Sequence, residues 1–186
     1  MYQEHAGLIL GFHGCGRWLA EKVLLGSDDF TPSDKPYDWL GRGVYFWDRD
    51  PRRALEFALK KGSVEPSVVG AIIDPGRCLD LRCRDSQEMI RTAYEKYCKD
   101  HGTPEQKNAS YEEGVPLRRN LDFAMIEAAC MFYQRSNDIT FDTVIGTFLE
   151  GKEIYPGAGI RDKTHTQICV RNPDCILGYF NPKSMR

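Results

Sequence analysis

Four places in this chain carry side chains that could do chemistry together. The first is His13-Gly14, at the end of an apolar run. An imidazole there offers a ligand one hydrogen bond at each ring nitrogen, and a glycine beside it lets the ligand approach the backbone. The second is Gly41-Arg42-Gly43-Val44-Tyr45-Phe46, a turn running into an aromatic strand, with Phe57 further along. An aromatic face suits a flat ligand ring, since stacking contributes roughly 0.5–1.5 kcal/mol beyond area burial. The third is Thr164 to Phe180, THTQICVRNPDCILGYF, which carries Gln167 where its first strand begins. The fourth is the preceding loop, Glu150 to Thr164, with Glu150, Glu153, Tyr155, Arg161, Asp162 and Lys163. Its carboxylates could serve as a general base.

Each place also has a plain structural reading. His13 reads as a core histidine before a turn glycine, and the Gly-x-Gly run as a turn into packed aromatics. Phe57 fits the buried stripe of its own helix, Gln167 a surface position, and the loop a solvated segment of mixed charge. His13 and Cys15 lie two apart and share a face of a strand, the spacing a cysteine hydrolase would need. A small buried cysteine beside Gly14 is the better reading. Taken singly, the structural readings are the stronger ones.

Taken together, the His-Gly pair, the Gly-x-Gly-x-Tyr-Phe run with the helix after it, and the C-terminal pair of strands resemble the NAD-binding core of ADP-ribosyltransferases. The resemblance is to the diphtheria-toxin and poly(ADP-ribose) polymerase type, whose sites use His, Tyr and usually Glu. It covers about the first sixty and the last forty residues. It implies NAD as co-substrate and no metal. In the family the matching His binds the adenosine ribose, the Gly backbone holds the nicotinamide carboxamide, and the Tyr stacks on nicotinamide. Carried over, His13, Tyr45 and Gln167 would be catalytic, and His13, Gly14, Gly43, Tyr45 and Phe57 would hold NAD. The loop with Glu150, Glu153, Tyr155 and Arg161 would face the acceptor.

Two departures shape this expectation. Many relatives carry a second stacking Tyr where this chain has Glu56, and the usual Glu is here Gln167. An amide keeps a hydrogen bond but has no charge. A carboxylate about 4 Å from a developing cation contributes up to roughly 4 kcal/mol at an effective dielectric near 20. Its loss slows the reaction by up to two or three decades, at about tenfold per 1.4 kcal/mol. The implied activity is therefore mono-ADP-ribosyl transfer to a macromolecular acceptor, protein or nucleic acid, rather than polymer elongation. Alternatives are an NAD glycohydrolase and a non-catalytic NAD- or ADP-ribose-binding module. The resemblance further suggests a toxin or phage-defence effector, with an antitoxin as partner.

The elements that must position these residues follow from local signals. Strands are predicted at Gly7–His13, Gly43–Trp47, Ser67–Ile73, Thr143–Leu149, Gln167–Arg171 and Cys175–Phe180. Helices are predicted at Arg17–Leu25, stopped by Gly26, and after Asp50-Pro51, stopped by Gly62. A capping box at Asp85 and Glu88 starts a third helix running to about Cys98, and Leu117–Tyr133 has helical spacing. Lys99 to Pro116 reads as a polar surface loop. The expected fold is α+β, one domain over 1–186, with a split antiparallel sheet of ADP-ribosyltransferase type, flanking helices and a helical insertion around 84–136.

Composition sets the outer limits. With 186 residues, 41% hydrophobic and 28% charged, the chain can bury a core. Its net charge of -2 gives no broad electrostatic footprint for nucleic acid. No run approaches the ~20 apolar residues of a membrane helix, and the N-terminus lacks the basic start of a leader, so no membrane partner is expected. The seven cysteines, Cys15, Cys78, Cys83, Cys98, Cys130, Cys169 and Cys175, show no C-x-x-C spacing. They suit reduced thiols in a cytoplasmic protein, not zinc.

Overall fold

The computed structural model describes residues 7–112 and 115–183; residues 1–6, where the leader was sought, lie outside them. In chain order the elements are β1 (Ile9–Gly16), α1 (Arg17–Leu24), β2 (Val44–Asp48), α2 (Pro51–Lys60), β3 (Pro66–Ile73), β4 (Cys78–Asp80) and α3 (Arg84–His101). There follow β5 (Asn108–Glu112), β6 (Val115–Arg119), α4 (Asn120–Asn137), β7 (Thr143–Phe148), β8 (His165–Val170) and β9 (Ile176–Phe180). The class is α+β. One sheet runs in the order β4-β7-β8-β2-β1-β3-β9, and β5 and β6 form a separate hairpin.

The sheet is divided in its middle. β1 pairs with β3 along its whole length but meets β2 only at Gly11–Asp48 and Phe12–Trp47. Beyond that point the two halves part. On one face their side chains share a single core: Ile9, Val69 and Ile73 from one half, and Val44, Phe46, Ile145, Ile168 and Val170 from the other. Ala20 and Val23 of α1 complete it with Phe30. On the opposite face the cover changes along the sheet. Ala54 of α2 packs with Phe12, Trp47 and Val68, while Met89 of α3 and Ile126 and Cys130 of α4 pack with Val144 and Cys169. The seam between these covers runs over β2 and β8.

Most boundaries follow local chemistry. The Asp50 side chain accepts from Arg53 N, Pro51 opens α2, and Gly62 takes φ +70 past its end. Four expectations need correction. The sheet is not wholly antiparallel, because β4 is a parallel edge strand on β7; a three-residue strand is too short to show a period. α3 starts after Cys83 without a side-chain cap, so Asp85 sits inside the first turn, where its charge suits the helix dipole. The Lys99–Pro116 segment holds the last turn of α3 and most of the β5–β6 hairpin. α4 begins at Asn120 because Asn108 of that hairpin accepts from Leu121 N and Asp122 N, capping the helix from a distance. Among the described residues no helix is long and apolar enough to cross a membrane.

Candidate functional site

His13 stands where β1 and β2 part. Its Nδ1 lies 2.8 Å from the Tyr45 carbonyl oxygen. A carbonyl only accepts, so Nδ1 carries the proton and Nε2 keeps its lone pair. The ring packs against Phe30 at 4.1 Å and Phe46 at 5.8 Å between centroids. Burial lowers its pKa from 6.5 to about 4, against the raising effect of the Tyr45 bond, and the Lys61 ammonium lowers it further. Gly14 beside it is a point of close approach. A Cβ there would lie 1.8 Å from the Ala54 carbonyl oxygen of α2, so that edge of the residue is closed by the helix.

The Gly-x-Gly-x-Tyr-Phe run is tightly engaged with its own neighbourhood. The Tyr45 hydroxyl donates to Gly41 O at 2.6 Å and accepts from Leu40 N at 2.9 Å. Burial pushes its pKa up, helped by the nearby Cys169. A Cβ on Gly43 would stand 2.5 Å from Val170 O, so β2 could not sit this close to β8 with a side chain there. Gly41 takes φ +84 and lies under the Glu127–Arg171 pair. Glu127 also accepts from Arg42 N at 2.8 Å. Burial raises the Glu127 pKa, but the bonds from Arg171 and Arg42 outweigh it and hold the group ionised.

Gln167 lies two residues further along the same ladder. Its Cα pairs with Trp47 on one side and Gly146 on the other, while Tyr45 pairs with Cys169. Alternation along the strands puts Tyr45, Trp47, His165 and Gln167 on the helix-covered face. His13 belongs to the other face, with Phe46. The structure thus joins His13 to Tyr45 through the main chain alone, and sets Tyr45 and Gln167 on one face without His13. The Gln167 side chain is half-buried.

Around Gln167 the seam is closed by charged and aromatic groups. Arg53 of α2 bonds Glu56 and Glu150, each at 2.7 Å, which ties the helix to the start of the 150–164 loop. His165 is 1% exposed, with Nδ1 at 2.7 Å from Lys163 O and 3.7 Å from Glu150 Oε2. Its ring stacks on Trp39 at 5.7 Å. Burial lowers the His165 pKa; the Lys163 bond opposes this, Arg53 adds to it, and Glu150 and Asp50 oppose it. Phe57 packs on Trp47 at 5.0 Å with the Lys61 ammonium over its outer side at 4.5 Å. Four buried polar atoms here have no hydrogen-bond partner: Trp47 Nε1, Arg53 Nε, Thr164 Oγ1 and His165 Nε2. Such groups are rare in folded proteins, and a cluster of them marks a place where a ligand or ordered water completes the bonding.

The loop residues divide by task. Glu153 accepts from Gly157 N, Asp162 from Lys152 N, and Arg161 donates to Gly151 O, so these three shape the loop itself. Tyr155 is 59% exposed and faces solvent. Of the loop candidates, Glu150 meets the seam through Arg53. Sequence reasoning missed Arg53, Trp47, His165 and Trp39. The available signal was alternation: Trp47 follows Tyr45 by two and His165 precedes Gln167 by two. Among the described residues no cluster of His, Cys, Asp or Glu is placed to hold a metal ion. No protein-family model, curated protein or solved structure matches this chain.

Proposed function

We propose that this protein transfers ADP-ribose from NAD to a macromolecular acceptor. The observation that carries the reading is the meeting of the two motifs. His13 and Tyr45, distant in sequence, are joined by one 2.8 Å bond where the sheet divides, and the strand with Gln167 is the next one over. In this reading Nε2 of His13, a lone pair fixed by the bond at Nδ1, accepts from a ribose hydroxyl of NAD. Gln167 stands on the opposite face from His13, so its amide meets the nicotinamide-side ribose only if NAD passes through the division of the sheet. The acceptor's nucleophile attacks the ribose carbon, the glycosidic bond breaks, and nicotinamide leaves with the bonding pair. The acceptor's proton passes to a base on the loop side. Glu150, 3.7 Å from the His165 ring, takes that part once Arg53 releases it.

A second reading, a non-catalytic NAD- or ADP-ribose-binding module, is favoured by two facts: the Tyr45 hydroxyl is used inside the fold, and the seam is shut by Arg53. Incubation with NAD labelled in its adenosine part separates the readings. Label on macromolecules is the expected result. Free ADP-ribose alone would mean hydrolysis, and intact NAD would mean a binding module. His13→Ala is expected to weaken NAD binding in calorimetry; unchanged affinity in the folded variant would overturn the placement of NAD at the sheet division.

A further inference from the structure

A cavity lies away from the His13 division. It occupies about 1040 Å³ between α3, α4 and the end of β7. That is at the upper end of what small-molecule sites enclose, roughly 300–1,000 Å³. Leu81, Ile90, Met125 and Ile126 make an apolar floor. Trp39, Tyr94 and Phe148 add aromatic surface, and the Arg119 guanidinium lies over two of these rings, 4.7 Å from Trp39 and 4.8 Å from Phe148.

The charges on the lining are unequal. Arg82, Arg91 and Arg119 face it, against the single carboxylate of Asp122. Each arginine has a carboxylate neighbour: Arg82 has Asp80, Arg91 has Glu88, and Arg119 has Asp122. Asp80 and Glu88 stand outside the cavity wall. The Arg91–Glu88 pair is 63% and 60% exposed, and such pairs contribute little, so a ligand anion can recruit the guanidinium. Arg119 Nε is buried with no hydrogen-bond partner.

We propose that this cavity binds a nucleotide, its base against Tyr94 and the Arg119 guanidinium that covers Trp39 and Phe148, and its phosphate at Arg82 and Arg91. Flat aromatic surface takes any base face, and guanidinium forks match phosphate oxygens. The overall charge of -2 argues for one or a few nucleotides at this spot rather than a long strand tracked along the surface. The site goes beyond the transfer reading and does not require NAD turnover. It adjoins the seam, since Gly146, the strand partner of Gln167, lies in its wall.

Guanosine 5′-monophosphate is the probe, because NAD contains no guanine. Calorimetry with the full chain is expected to show binding, with guanosine about a hundredfold weaker, the loss of two charge-assisted contacts at about tenfold each. Arg91→Ala and Arg82→Ala, both near the surface, should each weaken the nucleotide about tenfold and leave guanosine unchanged. Tyr94→Ala should weaken both ligands. No binding at millimolar nucleotide, or wild-type affinity in both arginine variants, would each overturn the proposal. So would octanoate displacing the nucleotide while binding more tightly, which would make the cavity an acyl or apolar-peptide site. Failure to bind the nucleotide would leave the transfer reading standing, and absent NAD chemistry would leave this site standing.

Discussion

The β2–β8 ladder has two ends built on the same pair of strands, and they are finished differently. At the Gly41 end polar groups are matched. Tyr45 bonds Gly41 and Leu40, Glu127 answers both Arg171 and Arg42 N, and Gly43 lets the strands close. At the Trp47 end, a few residues away, four buried polar atoms have no partner. The difference separates two kinds of polar residue. The first set is committed to holding the fold. The second has no protein partner and is left to water or a ligand; where neither completes it, such a group costs about 1–3 kcal/mol. The motif that draws attention in the sequence lies mainly at the committed end. The chemistry left over lies at the other.

The comparison breaks first, and hardest, at Gly14. That residue belongs with the committed end, because β1 can lie under α2 only without a Cβ. Gly14→Ala would put a carbon 1.8 Å from Ala54 O, a backbone atom that cannot swing aside. Overpacking of this kind costs ~3 kcal/mol or more. A drop of that size in chemical denaturation is expected. Near-normal stability would mean that α2 is free to move, and that Gly14 is open to a ligand after all.

His13 gives the next largest effect. Its folded pKa is lowered to about 4 from 6.5, by burial first. The imidazole is neutral in both states above pH 6.5. As the pH falls below that value the unfolded chain takes the proton first, so stability present above pH 6.5 is lost progressively down to about pH 4. The shift corresponds to about 3 kcal/mol for this group. His165, also lowered, acts in the same direction from the same starting pH. In His13→Gln the loss of stability between pH 6.5 and 4 is expected to shrink to what His165 and the carboxylates supply. An unchanged pH profile would show that the ring is not held neutral.

What the sequence made legible was local or repetitive. Asp50, Pro51 and Gly62 frame α2 because a cap, a fixed φ and a left-handed stop act within a few residues. Apolar runs gave the strands at the centre of the sheet. The hairpin and the true start of α4 were hidden because Asn108 caps a helix twelve residues away and across a turn. In the site, His13, Tyr45 and Gln167 were legible as residue types, but the face each one takes was not. That depends on strand register, which places Gln167 beside Trp47 and His13 against Phe30. The Arg53–Glu150 pair spans 97 positions, and no local pattern announces a contact at that separation.

Tyr45→Phe sharpens the comparison at moderate size. It removes one hydroxyl that both donates and accepts, and leaves the Gly41 carbonyl and Leu40 N–H short of a partner. A loss of about 1–2 kcal/mol is expected. If the ring alone faces NAD, affinity for NAD should hold while stability falls. Equal stability in the variant would place Tyr45 among the uncommitted residues instead.

Thr164→Val is the smallest expected effect and carries the opposite sign. Valine has nearly the shape of threonine but no hydroxyl. Thr164 Oγ1 is buried and has no hydrogen-bond partner, so the substitution removes a desolvated polar atom without breaking a bond. Stability should be unchanged or rise by up to about 1 kcal/mol. The same hydroxyl, if it waits for a ligand, should be missed on binding: NAD affinity or turnover should fall although the fold is firmer. Gain in stability with loss of ligand is the pattern of a residue kept for function, and it is the reverse of Tyr45→Phe. A loss of stability would mean that an ordered water already completes the hydroxyl's bonding in the free protein. The two ends of the ladder would then differ less than their direct contacts suggest.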